Sequence, residues 1–146
     1  PILPCDVVPS GWEDPLPRFA RHAKALGHVH AEQNRMDGVA RQIPLEAIAH
    51  GQRRWALALE AYRVTRSRPI VESPEDLDIG GTLVPAPRGP DGRLLRIRYL
   101  KQAFPTLAAS DLIQNPRLAS KLAGKVVFVG VTALSAARDR VVGPSG

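Results

Sequence analysis

Leu122-Ala123-Gly124-Lys125-Val126-Val127-Phe128-Val129-Gly130-Val131-Thr132-Ala133 is the stretch from which the fold class is read. From Lys125 to Gly130 the chain is a short, unbroken apolar run of β-branched and aromatic residues without polar alternation. Such a run predicts an interior strand with both faces covered, as in an α/β sheet. It leads into a glycine-containing loop, and open α/β sheets hold their ligands outside the carboxyl ends of strands.

Working backward, Asn115-Pro116 opens a short helix that Gly124 ends, since Asn suits an N-cap and Pro the first helical position. Thr106 is expected to cap another short helix through Leu112. Leu95, Ile97 and Tyr99 alternate with Arg96 and Arg98, so 94–99 predicts a half-buried strand; with Thr82 to Val84 it flanks a turn-rich Pro85 to Gly92 as a hairpin. Residues 64–76 are a connector with only Ile70-Val71 extended. Trp55, Ala58, Leu59 and Tyr62 fall at i, i+3, i+4 and i+7, the apolar stripe of a helix.

Further toward the start, Val39 to Ile48 carries the residues of a strand. The turn dipeptide Asp37-Gly38 and a strand at 28–31 precede it, so Gly27 to His50 is expected to form an irregular hairpin. Leu16, Phe19, Ala20, Ala23 and Leu26 predict an amphipathic helix stopped by Gly27. The first 17 residues hold five prolines, which leaves a short edge strand at Ile2-Leu3 and otherwise loop. The expectation is an α/β fold, with α+β as its neighbour: a mixed β-sheet with hairpins and packed amphipathic helices.

With 146 residues, 44% apolar and 23% charged, the chain is sized for one core, and wholesale disorder and fibrous repeats are excluded. No apolar run approaches the roughly 20 residues of a membrane span. The first residue is Pro1, and no basic region with a long apolar stretch follows, so the start is expected to be cut or processed and the chain to be part of something larger. Cys5 is alone, which excludes an intrachain disulfide. The net charge of +6 comes largely from arginines scattered from Arg18 to Arg140, with no block of like charge and no interleaved aromatics. That pattern argues against nucleic acid as a partner.

The chemistry-bearing constellations are sparse. The loop after Val129 lacks the glycine spacing of a phosphate cradle, and Gly80-Gly81 reads as a turn. His28, His30 and Glu32 share one strand face, and two imidazoles with a carboxylate suit a divalent ion, but no further ligand spacing supports them. His28 and His30 are therefore weak metal candidates, and no metal or cofactor is expected. Ser110-Asp111 lacks a nucleophile elbow. Glu72, Glu75, Asp76 and Asp78 read as a solvated loop rather than a catalytic dyad. No enzyme class follows from these residues.

The order of motifs carries more. Leu26-Gly27-His28-Val29-His30, then Asp37-Gly38-Val39-Ala40-Arg41 and Ile43-Pro44-Leu45, resembles the middle of the second CHASE family of extracellular sensor domains. Trp55 to Leu59, Leu94 to Tyr99, Phe104-Pro105-Thr106 and Ser110-Asp111-Leu112 continue the likeness. Leu122 to Ala133, followed by Asp139, resembles the family's strand-and-loop stretch and its downstream Asp. Coverage runs from about residue 16 to the end. The sequence departs from the family at His30, where Asn is usual, and at Val142-Gly143-Pro144, where a Thr-Pro step is common.

The resemblance implies an extracytoplasmic, non-catalytic input module of a bacterial inner-membrane signalling protein. Its output is expected to be an adenylate/guanylate cyclase, with a histidine kinase or diguanylate cyclase as alternatives. A soluble small-ligand or nucleotide-binding α/β domain is the rival reading, with a basic nucleic-acid or membrane-surface module behind it. The family normally has an earlier portion and flanking membrane segments. Residues 1–146 are therefore expected to be a single domain, the later part of a sensor, with an exposed sheet edge that favours a homodimer. The signal is an unknown small molecule or environmental stimulus. By match and strand-end position, the ligand-facing candidates are Thr132, Arg138 and Asp139, with Asp37 and Arg41.

Overall fold

The computed structural model describes residues 1–31, 36–100 and 104–131. Two compact units divide the chain, one over Pro1–Ile97 and one from Arg98. Mixed sheets with a few helices make up the fold, as the α/β or α+β expectation requires.

The first unit opens with β1 (Ile2–Val8), which pairs antiparallel with β2 (Gly11–Glu13) and parallel with β3 (Ala25–His28). The prolines predicted a short edge strand at Ile2-Leu3 and otherwise loop; the strand runs on to Val8 and lies between two neighbours. Pro4 is tolerated because β2 reaches only Asp6, Val7 and Val8, so among the described residues the central strand has a neighbour on one edge alone beside Pro4, where a missing N–H costs no ladder bond. The helix expected over 16–26 shrinks to α1 (Pro17–Ala20), because Ala25 and Leu26 are drawn into the ladder with Ile2 and Leu3. One turn buries little, and Leu16 and Phe19 stay exposed.

The extended run after Asp37-Gly38 is two strands, β4 (Gln42–Pro44) and β5 (Glu46–Ala49), divided at Leu45. The hairpin expected between 27 and 50 does not form. β3 joins β1, β4 joins β11 (Gly92–Arg96), and β5 joins β6 (Gln52–Trp55). His50 and Gly51, both at positive φ, make the tight two-residue turn between β5 and β6, the geometry that matches strand twist.

α2 (Leu57–Arg66) confirms the second predicted helix. Its buried stripe is carried by Leu59 and Tyr62 with Ala56, whereas Ala58 faces solvent. The connector at 64–76 holds more order than expected: β7 (Ile70–Glu72) pairs with β8 (Asp76–Ile79), and β8 with β9 (Thr82–Pro85) across Gly80-Gly81. The hairpin partner of Thr82–Val84 is therefore the preceding strand, and β11 pairs with the two-residue β10 (Arg88–Gly89) and with β4. Leu45, Ala56, Leu59, Leu77, Ile79 and Ala86 form the core, rimmed by Ile43, Trp55, Tyr62 and Leu95.

In the second unit α3 (Ala109–Gln114) begins after Ala108, two residues beyond the expected Thr106 cap. A 3₁₀ helix at Pro116–Leu122 follows Asn115-Pro116, and Gly124 at φ +70° ends it, as predicted. The interior strand expected at 125–130 is corrected. This run pairs with no strand among the described residues, and Phe128 and Val129 are 66% and 91% exposed. An interior strand needs a neighbour on each edge, and this unit's described residues supply only helical turns.

Candidate functional site

Polar and aromatic side chains converge where β1, β2, β3 and β6 meet the start of α2. The parallel register sets Cys5 opposite His28, and His28 also bridges to Ala56 just before α2. Gly27 makes this approach possible: a Cβ there would lie 2.5 Å from the Cα of Leu57 and 2.8 Å from its nitrogen. His28 is 2% exposed, and neither ring nitrogen has a hydrogen-bond partner. Burial first, and then the nearby His30, lower its pKa to about 4, against the pull of Asp6.

Trp12 covers the imidazole, the ring centroids 6.5 Å apart and tilted by 33°. Its indole N–H donates to the Gln52 carbonyl at 3.1 Å, and the Arg54 guanidinium sits 4.6 Å above its ring. Arg54 in turn grips both carboxylate oxygens of Asp14 and reaches the Cys5 thiol. The Asp14 carboxyl is held below its usual range by that guanidinium. Burial raises the Cys5 thiol, with Arg54 opposing. An open cleft of about 380 Å³ runs alongside, with Leu3, Pro4, Phe19 and Val29 as its apolar wall and Asp6, Glu13 and Asp14 at its rim.

A second cluster surrounds Glu72. Arg53 donates to its two oxygens at 2.6 and 3.1 Å and Arg88 at 2.6 Å. Arg93, 1% exposed, reaches the carbonyls of Ala86 and Ser73 and lies 3.6 Å from Glu72. Among the described residues, Arg41, Arg53, Arg54, Arg63, Arg88 and Arg93 are engaged in ion pairs. A charge census treats them as a diffuse basic surface; their pairing is a tertiary property.

Asp37 and Arg41 are brought together. The guanidinium donates to both carboxylate oxygens at 3.0 and 2.7 Å, and Asp37 also accepts from the Val39 N–H at 3.1 Å across the Gly38 turn. The guanidinium holds the Asp37 carboxyl below its usual range. Both side chains are 44% exposed, which leaves the pair accessible to a charged ligand. Thr132, Arg138 and Asp139 lie outside the described residues, as does Glu32. His28 and His30 do not converge on one site: His28 is enclosed, and His30 faces Asp6 at 3.8 Å. Among the described residues no three His, Cys, Asp or Glu side chains are placed to hold a metal ion, and no helix is long and apolar enough to cross a membrane.

Sequence reading singled out His28 but not its enclosure, and missed Trp12, Arg54 and Asp14. Gly27 beside His28 was the available signal, read as a helix stop rather than a close backbone contact. The family model of the CHASE2 domain matches residues 5–146. Neither the curated proteins nor the solved structures provide a match.

Proposed function

We propose that this chain, which belongs to the CHASE2 family of extracellular sensory domains, is the input module of a bacterial inner-membrane receptor whose output is an adenylate or guanylate cyclase. The match over residues 5–146 is the observation that carries this reading. A sensory domain works by binding its stimulus better in one arrangement than another, and that difference in affinity is all that can shift the output. The module needs no catalytic group of its own.

We assign ligand-facing roles separately to Asp37 and Arg41 in the first unit and to Thr132, Arg138 and Asp139 in the second. The exposed, bidentate Asp37–Arg41 pair supports the first two, since a planar guanidinium already posed for a carboxylate can exchange one carboxylate for another. The last three rest on the sequence match. The exposed apolar run at Val126–Val131 favours pairing of two copies, because contiguous apolar surface of that kind is uncommon on a monomer.

The test uses the protein that carries this module. In spheroplasts external protease should remove the domain, and cyclic nucleotide synthesis in membranes should change on its removal. Asp37→Asn should blunt the response to stimulus while leaving the thermal midpoint of the chain unchanged. A domain protected in spheroplasts refutes the extracytoplasmic reading. An output of phosphoryl transfer or cyclic diguanylate replaces the cyclase by the kinase or diguanylate cyclase alternative.

A further inference from the structure

We infer that His28 is an acid-operated latch: protonation expels its ring from beneath Trp12 and frees β3 from the start of α2, so that acidification of the surrounding compartment is an input this domain reads. The geometry carries the inference. A protonated imidazole has two N–H donors and no acceptor function, and both ring nitrogens of His28 are sealed from water without a partner. The nearest aromatic is the tilted indole of Trp12 at 6.5 Å. The backbone bridge to Ala56 sets the residue beside the N-terminus of the ten-residue α2, whose partial positive charge further opposes a cation.

The ionisable groups on the elements packed there do not remedy this. β1 contributes the Cys5 thiol and Asp6, which faces His30, the next imidazole along. Asp14, just past β2, is gripped by Arg54 of β6, itself a cation. Glu60, in the first turn of α2, is paired with Arg63. In the closed form burial keeps the His28 pKa at about 4, whereas a ring released to water returns to about 6.5. The open form therefore binds protons more readily, and opening gains about tenfold per pH unit between those values, up to about 300-fold. Above about pH 6.5 the ring is neutral in both forms and the latch stays shut.

That acid is a stimulus rests on the sensory reading above; the latch itself is measured on the 146-residue chain alone, so either can fail without the other. Amide exchange of Ala25–His28, corrected for intrinsic rates, should speed up by about 80-fold relative to Leu77 and Ile79 of β8 as the pH is lowered from about 6.5 to about 4. His28→Phe, which keeps a ring and removes the proton site, should abolish the difference. Since that variant can misfold, the wild-type imidazole is also followed by nitrogen-15 resonance, where His28 should stay neutral until about pH 4. Titration of the closed-form ring near 6.5, loss of protection in step with β8, or an unchanged profile in a folded His28→Phe variant would each overturn the latch.

Discussion

Gly27→Ala tests the geometry on which the candidate site depends. A Cβ at this position would meet Leu57 Cα at 2.5 Å, Leu57 nitrogen at 2.8 Å and the Ala56 carbonyl carbon at 3.3 Å, all of them backbone. No rotamer relieves such contacts, so β3 and the start of α2 must separate by nearly 1 Å to restore ordinary spacing. Neither element is free to yield. β3 is laddered to β1 over four residues, and Ala56 is fixed by its N–H to the Leu45 carbonyl at 2.8 Å and by the Glu60 N–H to its own carbonyl at 2.9 Å. Overpacking of this kind costs about 1–3 kcal/mol, and backbone-on-backbone contact places Gly27→Ala at the upper end, about 3 kcal/mol. Gly51→Ala is the control. It also adds a methyl, at φ +76° but with nothing within 4 Å, so only the left-handed strain of about 1–2 kcal/mol applies. Urea unfolding followed by the fluorescence of Trp12 and Trp55 measures both. Equal losses for the two variants, or a smaller loss at Gly27, would refute the close approach of β3 to α2.

Ser67, the residue after α2, has φ 52°, so Ser67→Gly should stabilise the chain by about 0.5–1 kcal/mol in the same unfolding assay. Arg93→Ala should cost about 3 kcal/mol, because it leaves the buried Ala86 carbonyl and the half-buried Ser73 carbonyl without this donor and removes one cation from Glu72. Arg53 first, and then Arg88, hold the Glu72 carboxyl below 4.5. The depressed value means that Glu72 contributes stability above pH 4.5, lost progressively as the pH falls below it. Glu72→Gln should therefore narrow the stability difference between about pH 6 and about pH 3, and identical differences in variant and wild type would contradict the ion cluster.

What the sequence disclosed was local. Leu59 and Tyr62 announced α2 because helical spacing is set within a few residues, although Trp55, read into the same stripe, closes β6; Asn115-Pro116 and Gly124 marked the limits of the 3₁₀ turn for the same local reason. Strand partners were not legible. β1 takes β3 from over 20 residues away and β4 takes β11 from some 50 away, choices decided by shared burial rather than by neighbouring residues. Pro4 misled because a proline disqualifies a central strand only where both edges are paired. At the candidate site, the motif match pointed to the Asp37–Arg41 turn, a five-residue feature with its own hydrogen bonds. The enclosure of His28 involves Trp12 and Ala56, 16 and 28 residues away in opposite directions, so no short window of sequence contains it. The arginines looked diffuse for the same reason, since Glu72 collects Arg53 and Arg88 from 19 and 16 residues away.

Leu45, where the extended run changes sheets, has a consequence for how the chain melts. Its N–H donates to the Arg93 carbonyl and its own carbonyl accepts from the Ala56 N–H, both at 2.8 Å, while its side chain is 1% exposed. One residue thus rivets the β4–β11 ladder to the β5–β6 hairpin through its main chain and to the core through its side chain. Neither ladder can fray past Leu45 without withdrawing a bond from the other, which couples two short sheets, each marginal alone, into one cooperative unit. The Leu45 amide is then a reporter of global unfolding. Motions that serve signalling are confined to parts of the molecule that open without disturbing it.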